Sequence, residues 1–280
     1  MIDKPFKIQP VAAFYRLLGI CIGHIFVISA ILSVIVFLII KFGILQILDA
    51  EGIKELSDLL SAQASSPDMV AQSNMIKKFI SDHPSLVPFM MGSMVLILLT
   101  IAYSINSTQL FIKNKMGVAD EGWLKTLVPQ SSFFKIFLYL ILTTGTLMFA
   151  SVFIAIGIAG SPIIGVVASL FIGIMVIRNC LFIPGIVIGG MDFPEAFKYS
   201  LQTISGGRAF KILIFGLLIF FMLSFILSAL FYFPTVWFRS GSAQIYFNFL
   251  ILYLQMGFIS VGLTSLFLRY GIFEEEKIAE

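Results

Sequence analysis

The sequence has few charged residues. Charged side chains make up 12% of its 280 residues, against roughly 25% in an ordinary soluble domain, and hydrophobic residues make up 59%. Its long apolar segments contain no Asp or Glu. This scarcity excludes a typical water-soluble protein and predicts that most of the chain lies in a lipid bilayer. The formal net charge of +3 gives no reason to expect a nucleic-acid partner.

Cysteine and histidine are also scarce, with two of each. Cys21 and Cys180 are expected near the reducing cytoplasmic side, so a structural disulfide is not predicted. His24 lies in an apolar segment, and because one imidazole cannot form a metal site, we predict a structural residue that is hydrogen-bonded across helices. The sequence has no metalloprotease, P-loop or paired-cysteine motif. It therefore predicts no metal centre, no cofactor and no enzymatic activity.

What the sequence has in excess is long apolar runs. A helix needs about 20 apolar residues to cross a bilayer, and six segments meet that length. They are residues 17–40, 87–111, 136–157, 162–188, 212–233 and 246–268. The predicted fold is an all-α, polytopic membrane helical bundle with about six transmembrane helices and cytoplasmic interfacial helices, all in one domain over residues 1–280. The first run is too long for a signal-peptide core, and we expect it to be retained.

The positions of Lys and Arg predict the topology. Cytoplasmic connections carry the positive excess in membrane proteins, and most Lys and Arg fall on the side of the chain termini. Both termini are therefore predicted to be cytoplasmic. Residues 45–85 are then external, and their apolar residues recur at helical spacing, which predicts an amphipathic helical hairpin. This hairpin would pack on the bundle or the lipid interface, or bind a membrane or periplasmic protein partner.

A related segment occurs twice on the predicted cytoplasmic side. The stretch EGWLKTLVPQSSFFKI begins at Glu121 and matches EAFKYSLQTISGGRAFKI, which begins at Glu195 and has two extra residues around Gly206. A shorter echo, AAFYRLLGI, opens the first apolar run. Repeated units of one interfacial segment and two membrane helices would explain the pattern. The alternative is that aromatic and basic anchors recur at any membrane boundary.

Small residues recur at four-residue spacing in the fourth apolar run. A row of this kind lets two helix backbones approach closely in a membrane. We predict a helix-packing seam, within the molecule rather than between two copies. Its members are Ser161, Gly165, Ser169 and Gly173.

Arg178 is a cationic residue inside the apolar stretch GIMVIRNCLFIPGIVIGG. Helix geometry places it roughly 9 Å deeper in the bilayer than Lys135, a depth from which a long side chain can extend to the headgroups. The other prediction is that its guanidinium faces inwards and binds a carboxylate, Glu195 or Glu121, or a lipid phosphate, which suits its planar fork. The apolar residues after Arg178, interrupted by Pro184, are predicted to continue as a bent helix end along the interface.

Polar residues cluster in the second apolar run, in AYSINSTQLF. They could line a polar path through the protein, or they could satisfy one another and headgroup water near the end of a helix. The candidate path residues are Tyr103, Asn106, Thr108 and Gln109.

The stretch RNCLFIPGIVIGGMDFPEAFKYSLQTISGGRAFKIL resembles a segment of uncharacterised bacterial six-helix inner-membrane proteins that are related to the membrane domain of glycerophosphodiester phosphodiesterases. The matching positions are Arg178, Pro184, Glu195, Ala196 and Ser200. The resemblance is strongest over residues 174–230. It implies a multi-pass protein of the bacterial inner membrane with a role tied to envelope lipids. Because no soluble domain follows the last apolar run, we do not expect phosphodiester chemistry.

Three classes of function fit these features. The first is a non-catalytic scaffold or accessory protein linked to envelope lipids, which needs no acidic residue in the membrane. The second is a channel or carrier for a small or amphiphilic solute, which would need an aqueous cavity that reaches Asn106 and Arg178. The third is a membrane-embedded lipid enzyme, which would need polar groups that converge at one interface. We expect the first, with membrane lipids as partners.

Overall fold

The computed structural model describes residues 10–56, 69–116, 126–160, 174, 178–204 and 241–270. These residues form helices and turns and contain no strand, which confirms the all-α prediction. The helices are α1 (Pro10–Ile47), α2 (Met69–Asp82), α3 (Leu86–Lys115), α4 (Ser131–Gly160), α5 (Phe182–Val187), α6 (Phe193–Thr203) and α7 (Gly241–Tyr270). Residues 50–56 are also helical.

Within the described part of the chain, four helices are long and apolar enough to cross a membrane. The segments are Ala12–Ile47, Leu86–Lys115, Ser131–Ser151 and Ile245–Leu268. They correspond to the first, second, third and sixth predicted runs. The predicted run 212–233 and most of 162–188 lie outside the described residues. A bundle of six spans therefore stays a prediction.

Apolar residues cover the whole circumference of α1, yet only one stripe of them is buried. The buried residues recur three or four positions apart, which is the spacing of one helix face. They are Cys21, Ile25, Ile28, Leu32 and Val36. The opposite face is exposed, with Val27 and Ile31 about half accessible. A helix that is apolar on all sides while only one stripe packs on protein is typical of a membrane span.

α3 is the central helix of the described bundle. It packs against α1, α4, α5 and α7, and every residue from Ser104 to Ile112 is buried. α1 and α7 also pack against each other, so that α1, α3 and α7 form the core. α4 lies outside this core, and its residues Phe134 and Phe149 are 65% and 68% exposed.

The fourth predicted run ends differently from the prediction. The chain turns at residues 179–181 and starts a new helix, α5, and it does not continue as one helix to Ile188. Every residue of α5 is buried, and α5 packs against α3, α4, α6 and α7. This segment is therefore enclosed by protein, and the prediction of a bent helix end lying along the lipid interface is wrong. Gly190 follows α5 with a φ of 67°, a conformation that favours glycine.

α6 is a short amphipathic helix packed on α5. Asp192 precedes it with extended backbone, and Pro194 lies in its first turn, where the missing N–H of proline has no helical partner. Ala196 and Ser200 lie four residues apart and are buried, which places them on one face of the helix. Lys198 is exposed on the other side.

A small apolar core lies where α1, the helical segment 50–56, α2 and α3 meet. It contains Leu48, Phe79 and Leu86. Asp49 caps the helical segment, because its Oδ1 accepts a 2.8 Å hydrogen bond from the Gly52 N–H, as is usual at a helix start. Residues 57–68 lie outside the described residues. The external hairpin and its protein partner therefore stay predictions.

Candidate functional site

The candidate path residues of α3 are enclosed by protein. Asn106 and Thr108 are 1% exposed and Gln109 is 0% exposed, whereas Tyr103 is half-buried. Thr108 bonds within its own helix, because its hydroxyl donates to the Ser104 carbonyl at 2.8 Å. The polar cluster is thus part of the packed interior of the bundle.

Two of these residues bond to the segment that leads into α4. The Tyr103 hydroxyl donates to the Leu127 carbonyl at 2.8 Å. Asn106 Oδ1 accepts a 2.7 Å hydrogen bond from the Ser132 hydroxyl in the first turn of α4. Both bonds connect α3 to the segment that includes Leu127 and Ser132, and they fix where α4 begins.

His24 joins α1 to α3. Its Nε2 lies 3.0 Å from the Ser107 hydroxyl, and its ring stacks on Phe111 with the ring centroids 4.4 Å apart. The side chain is buried in the interface between the two helices. These contacts confirm the prediction of a structural histidine that is hydrogen-bonded across helices.

Two further hydrogen bonds join α3 to α7. The Thr100 and Tyr253 hydroxyls are 2.7 Å apart, and the Ser260 hydroxyl of α7 donates to the Ile105 carbonyl at 3.4 Å. No motif in the sequence predicts this pairing. The one signal is a tyrosine in an apolar helix, because a buried tyrosine hydroxyl usually finds a hydrogen-bond partner.

Gln109 differs from its neighbours. Its Oε1 and Nε2 are both buried, and neither atom has a hydrogen-bond partner among the residues that the structure describes. Lys113 lies one turn later on the same face of α3, and its Nζ donates to the Val187 carbonyl at 3.0 Å. An ammonium group at that carbonyl complements the partial negative charge at the end of α5. Gln109 therefore lies on the same face of α3 as Lys113.

Arg178 bonds to the last turn of α6. Its Nη2 donates to the Leu201 carbonyl at 3.0 Å. Ser200 forms two further bonds, since its hydroxyl donates to the Arg178 carbonyl at 2.6 Å and accepts from the Leu181 N–H at 3.1 Å. Together these bonds hold α6 against the turn at residues 179–181.

Arg178 forms no ion pair among the described residues. Glu195 is exposed and lies in the first turn of α6, at the opposite end from the Arg178 contact. Glu121 lies outside the described residues. Asp192 instead pairs with Lys135, at a distance of 2.8 Å. That hydrogen bond and the positive charge of Lys135 lower the pKa of the Asp192 carboxyl, although an exposed pair contributes little stability.

The predicted small-residue seam lies outside the described residues: Ser161, Gly165, Ser169 and Gly173. A close helix contact does occur between α1 and α7. A Cβ atom added at Gly257 would lie 2.5 Å from Ile25 Cγ2, so that the two helices approach where only a glycine fits. A single glycine forms no row in the sequence, and no pattern predicts this contact.

The described residues contain no group of three His, Cys, Asp or Glu side chains that could hold a metal ion. Comparison with protein-family models, with curated proteins and with solved structures finds no match to this chain. The resemblance to membrane domains related to glycerophosphodiester phosphodiesterases therefore stays a prediction. The geometry of the site is defined by polar side chains of α3 that form hydrogen bonds to the helices around it.

Proposed function

We propose that this protein is a non-catalytic multi-pass scaffold or accessory protein linked to the lipids of a bacterial inner membrane. One observation carries the proposal: polar side chains of α3 bond to three neighbouring helices. The partners are His24 of α1, Ser132 of α4 and Tyr253 of α7. Hydrogen bonds between membrane helices favour one fixed arrangement of the bundle.

The surface supports a role at the lipid headgroups. Tyr15, Phe134 and Phe197 are 62%, 65% and 40% exposed, and each is followed directly by Arg or Lys. Aromatic rings favour the headgroup level of a bilayer, and basic residues there attract anionic lipids. With both chain termini in the cytoplasm, these pairs would all face the inner leaflet.

Cross-linking tests whether the bundle acts without rearrangement. Thr100→Cys and Tyr253→Cys in one chain place two thiols where α3 meets α7, and a short bis-maleimide would join them. We expect the cross-linked protein to complement a strain that lacks the chain as well as the untreated protein does. The Thr100→Cys single variant, treated identically, is the control. Loss of complementation only after cross-linking would contradict a static scaffold.

A carrier for a small or amphiphilic solute is the second candidate, and the buried amide of Gln109 favours it. This amide has no partner among the described residues, and a polar solute would supply one. Liposomes that contain the protein should then take up such a solute, and Gln109→Met should abolish the uptake. Uptake equal to that of protein-free liposomes across a panel of polar and amphiphilic solutes would favour the scaffold.

A further inference from the structure

Arg178 has more hydrogen-bond donors than the described residues use. A guanidinium group has five N–H donors, and the structure assigns one bond, from Nη2 to the Leu201 carbonyl. The Nε atom is buried and has no partner in the part of the chain that the structure describes. A buried N–H without an acceptor destabilises the protein, and the cost is larger for a charged group. The side chain is therefore incomplete without a further acceptor.

The charge of Arg178 also lacks a counter-charge among the described residues. No acidic side chain lies within ion-pair distance among the described residues, and Glu195 is six residues from Leu201, about 9 Å along α6. The carbonyl end of α6 supplies only a partial negative charge. A half-buried cation favours an anion that brings its own oxygen acceptors.

The repeated segment shows that a cation is not required for the bond to α6. Leu127 and Leu201 occupy equivalent positions in the two copies, and each carbonyl accepts a bond from a side chain of the preceding helical segment. The donor to Leu127 is Tyr103 and the donor to Leu201 is Arg178, and each donor precedes the segment in the chain. A neutral hydroxyl thus makes the same kind of backbone contact at Leu127. The positive charge and the remaining donors of Arg178 are available for another partner.

We propose that Arg178 binds the phosphate of a phospholipid headgroup. The proposal rests on the lipid-linked function given above and names the chemical group that is recognised. Ser200 fixes the backbone at Arg178 through its two hydrogen bonds, so the guanidinium is presented from a defined position. Its planar fork matches two phosphate oxygens, which a lysine ammonium does not. A phosphate diester also supplies the negative charge that the described protein residues around Arg178 lack.

Native mass spectrometry of the full chain in detergent tests the site. The probes are dioctanoyl phosphatidylglycerol, dioctanoylglycerol, which lacks the phosphate, and inorganic phosphate. We expect the wild-type chain to bind the phosphate-bearing lipid at least about tenfold more tightly than the diacylglycerol, the effect of one charge-assisted hydrogen bond. Arg178→Lys should lose part of that preference, because an ammonium keeps the charge but not the planar fork, and Arg178→Gln should lose all of it.

Lys135→Gln is the matched control, because it removes one positive charge from the same predicted side of the membrane. It should keep the preference for phosphate, since Lys135 already pairs with Asp192. Equal binding of the two lipids by the wild-type chain would overturn the proposal even if an Arg178 variant does not fold. Wild-type behaviour of Arg178→Lys would reduce the residue to a structural contact and would also overturn it.

The third probe separates the two sources of phosphate. Inorganic phosphate that competes with the lipid at equal concentration would assign the site to a soluble phosphate and would overturn a lipid site. A failed lipid preference leaves the scaffold proposal standing, because cross-linking of α3 to α7 tests that proposal independently. Loss of complementation after cross-linking would likewise leave the lipid measurement unchanged.

Discussion

The hydroxyl of Tyr253 on α7 donates its hydrogen to the hydroxyl of Thr100 on α3. The two oxygens are 2.7 Å apart, and the direction follows from the other contacts of Thr100. Its Oγ1 lies 2.9 Å from the carbonyl oxygens of Leu96 and Ile97. A threonine hydroxyl has one hydrogen, which these carbonyls accept. Thr100 therefore serves Tyr253 as an acceptor.

This direction of the hydrogen bond predicts that removing the two hydroxyls lowers the free energy of unfolding by unequal amounts. Tyr253→Phe leaves the backbone bonds of Thr100 intact and should lower the free energy of unfolding by less than about 1 kcal/mol, as is usual for bonds between membrane helices. Thr100→Val leaves the buried Tyr253 hydroxyl without an acceptor and should cost about 1–3 kcal/mol. Unfolding in mixed micelles of increasing SDS content measures both. A larger loss for Tyr253→Phe would reverse the assigned direction.

The contact between Gly257 and Ile25 predicts a second asymmetry on α7. Gly257→Ala places a methyl group 2.5 Å from Ile25 Cγ2, and the forced separation of the helices should cost about 1–3 kcal/mol. Gly262→Ala is the control in the same helix, because the nearest atom, of Phe14, is 4.0 Å from its added Cβ. It should be neutral or slightly stabilising, since alanine favours the helix more than glycine does. Equal thermal stability of the two variants would contradict the close contact between Gly257 and Ile25.

The buried side-chain amide of Gln109 leads us to expect that one substitution at this position stabilises the protein. Replacing it with methionine keeps a long flexible side chain and removes two buried polar atoms that have no partner within the described ranges. Because an unsatisfied buried group costs about 1–3 kcal/mol, the unfolding midpoint of Gln109→Met should rise. Asn106→Leu should lower it, because the Ser132 hydroxyl would lose its acceptor. A large fall in the midpoint of Gln109→Met would show that the amide has a partner in the membrane-embedded protein.

The predicted topology is tested by cysteine labelling of intact cells with a membrane-impermeant maleimide. The two native cysteines are first replaced by alanine, and one new cysteine is then introduced at Gln63 or at Asp120. We expect Gln63→Cys to be modified because residues 45–85 are predicted to be external, and Asp120→Cys to be modified only after the cells are opened. Modification of Asp120→Cys in intact cells would overturn the assignment of the cytoplasmic side.

The class of protein and the role of His24 follow from the sequence. Long apolar runs with no acidic residue need no partner to be recognised, because transfer into lipid depends on the composition of each segment alone. The role of His24 can be predicted from the sequence for a related reason. A single imidazole in an apolar helix has few chemical options, and a bond across helices is the simplest of them. Its hydrogen-bond partner, Ser107, is 83 positions away in the chain, and the identity of this partner is not encoded locally.

The tertiary structure decided which face of each helix is buried and which polar groups meet. α1 has apolar residues around its whole circumference, so hydrophobicity alone does not mark the buried stripe from Cys21 to Val36. The turn at residues 179–181 depends on Ser200, whose hydroxyl bonds the backbone of Arg178 and Leu181 from a different helix. Lipid and the protein interior are nearly equally apolar. The hydrophobicity of a residue therefore does not show whether its side chain faces lipid or protein. The arrangement therefore depends on close packing and on hydrogen bonds between residues far apart in the chain.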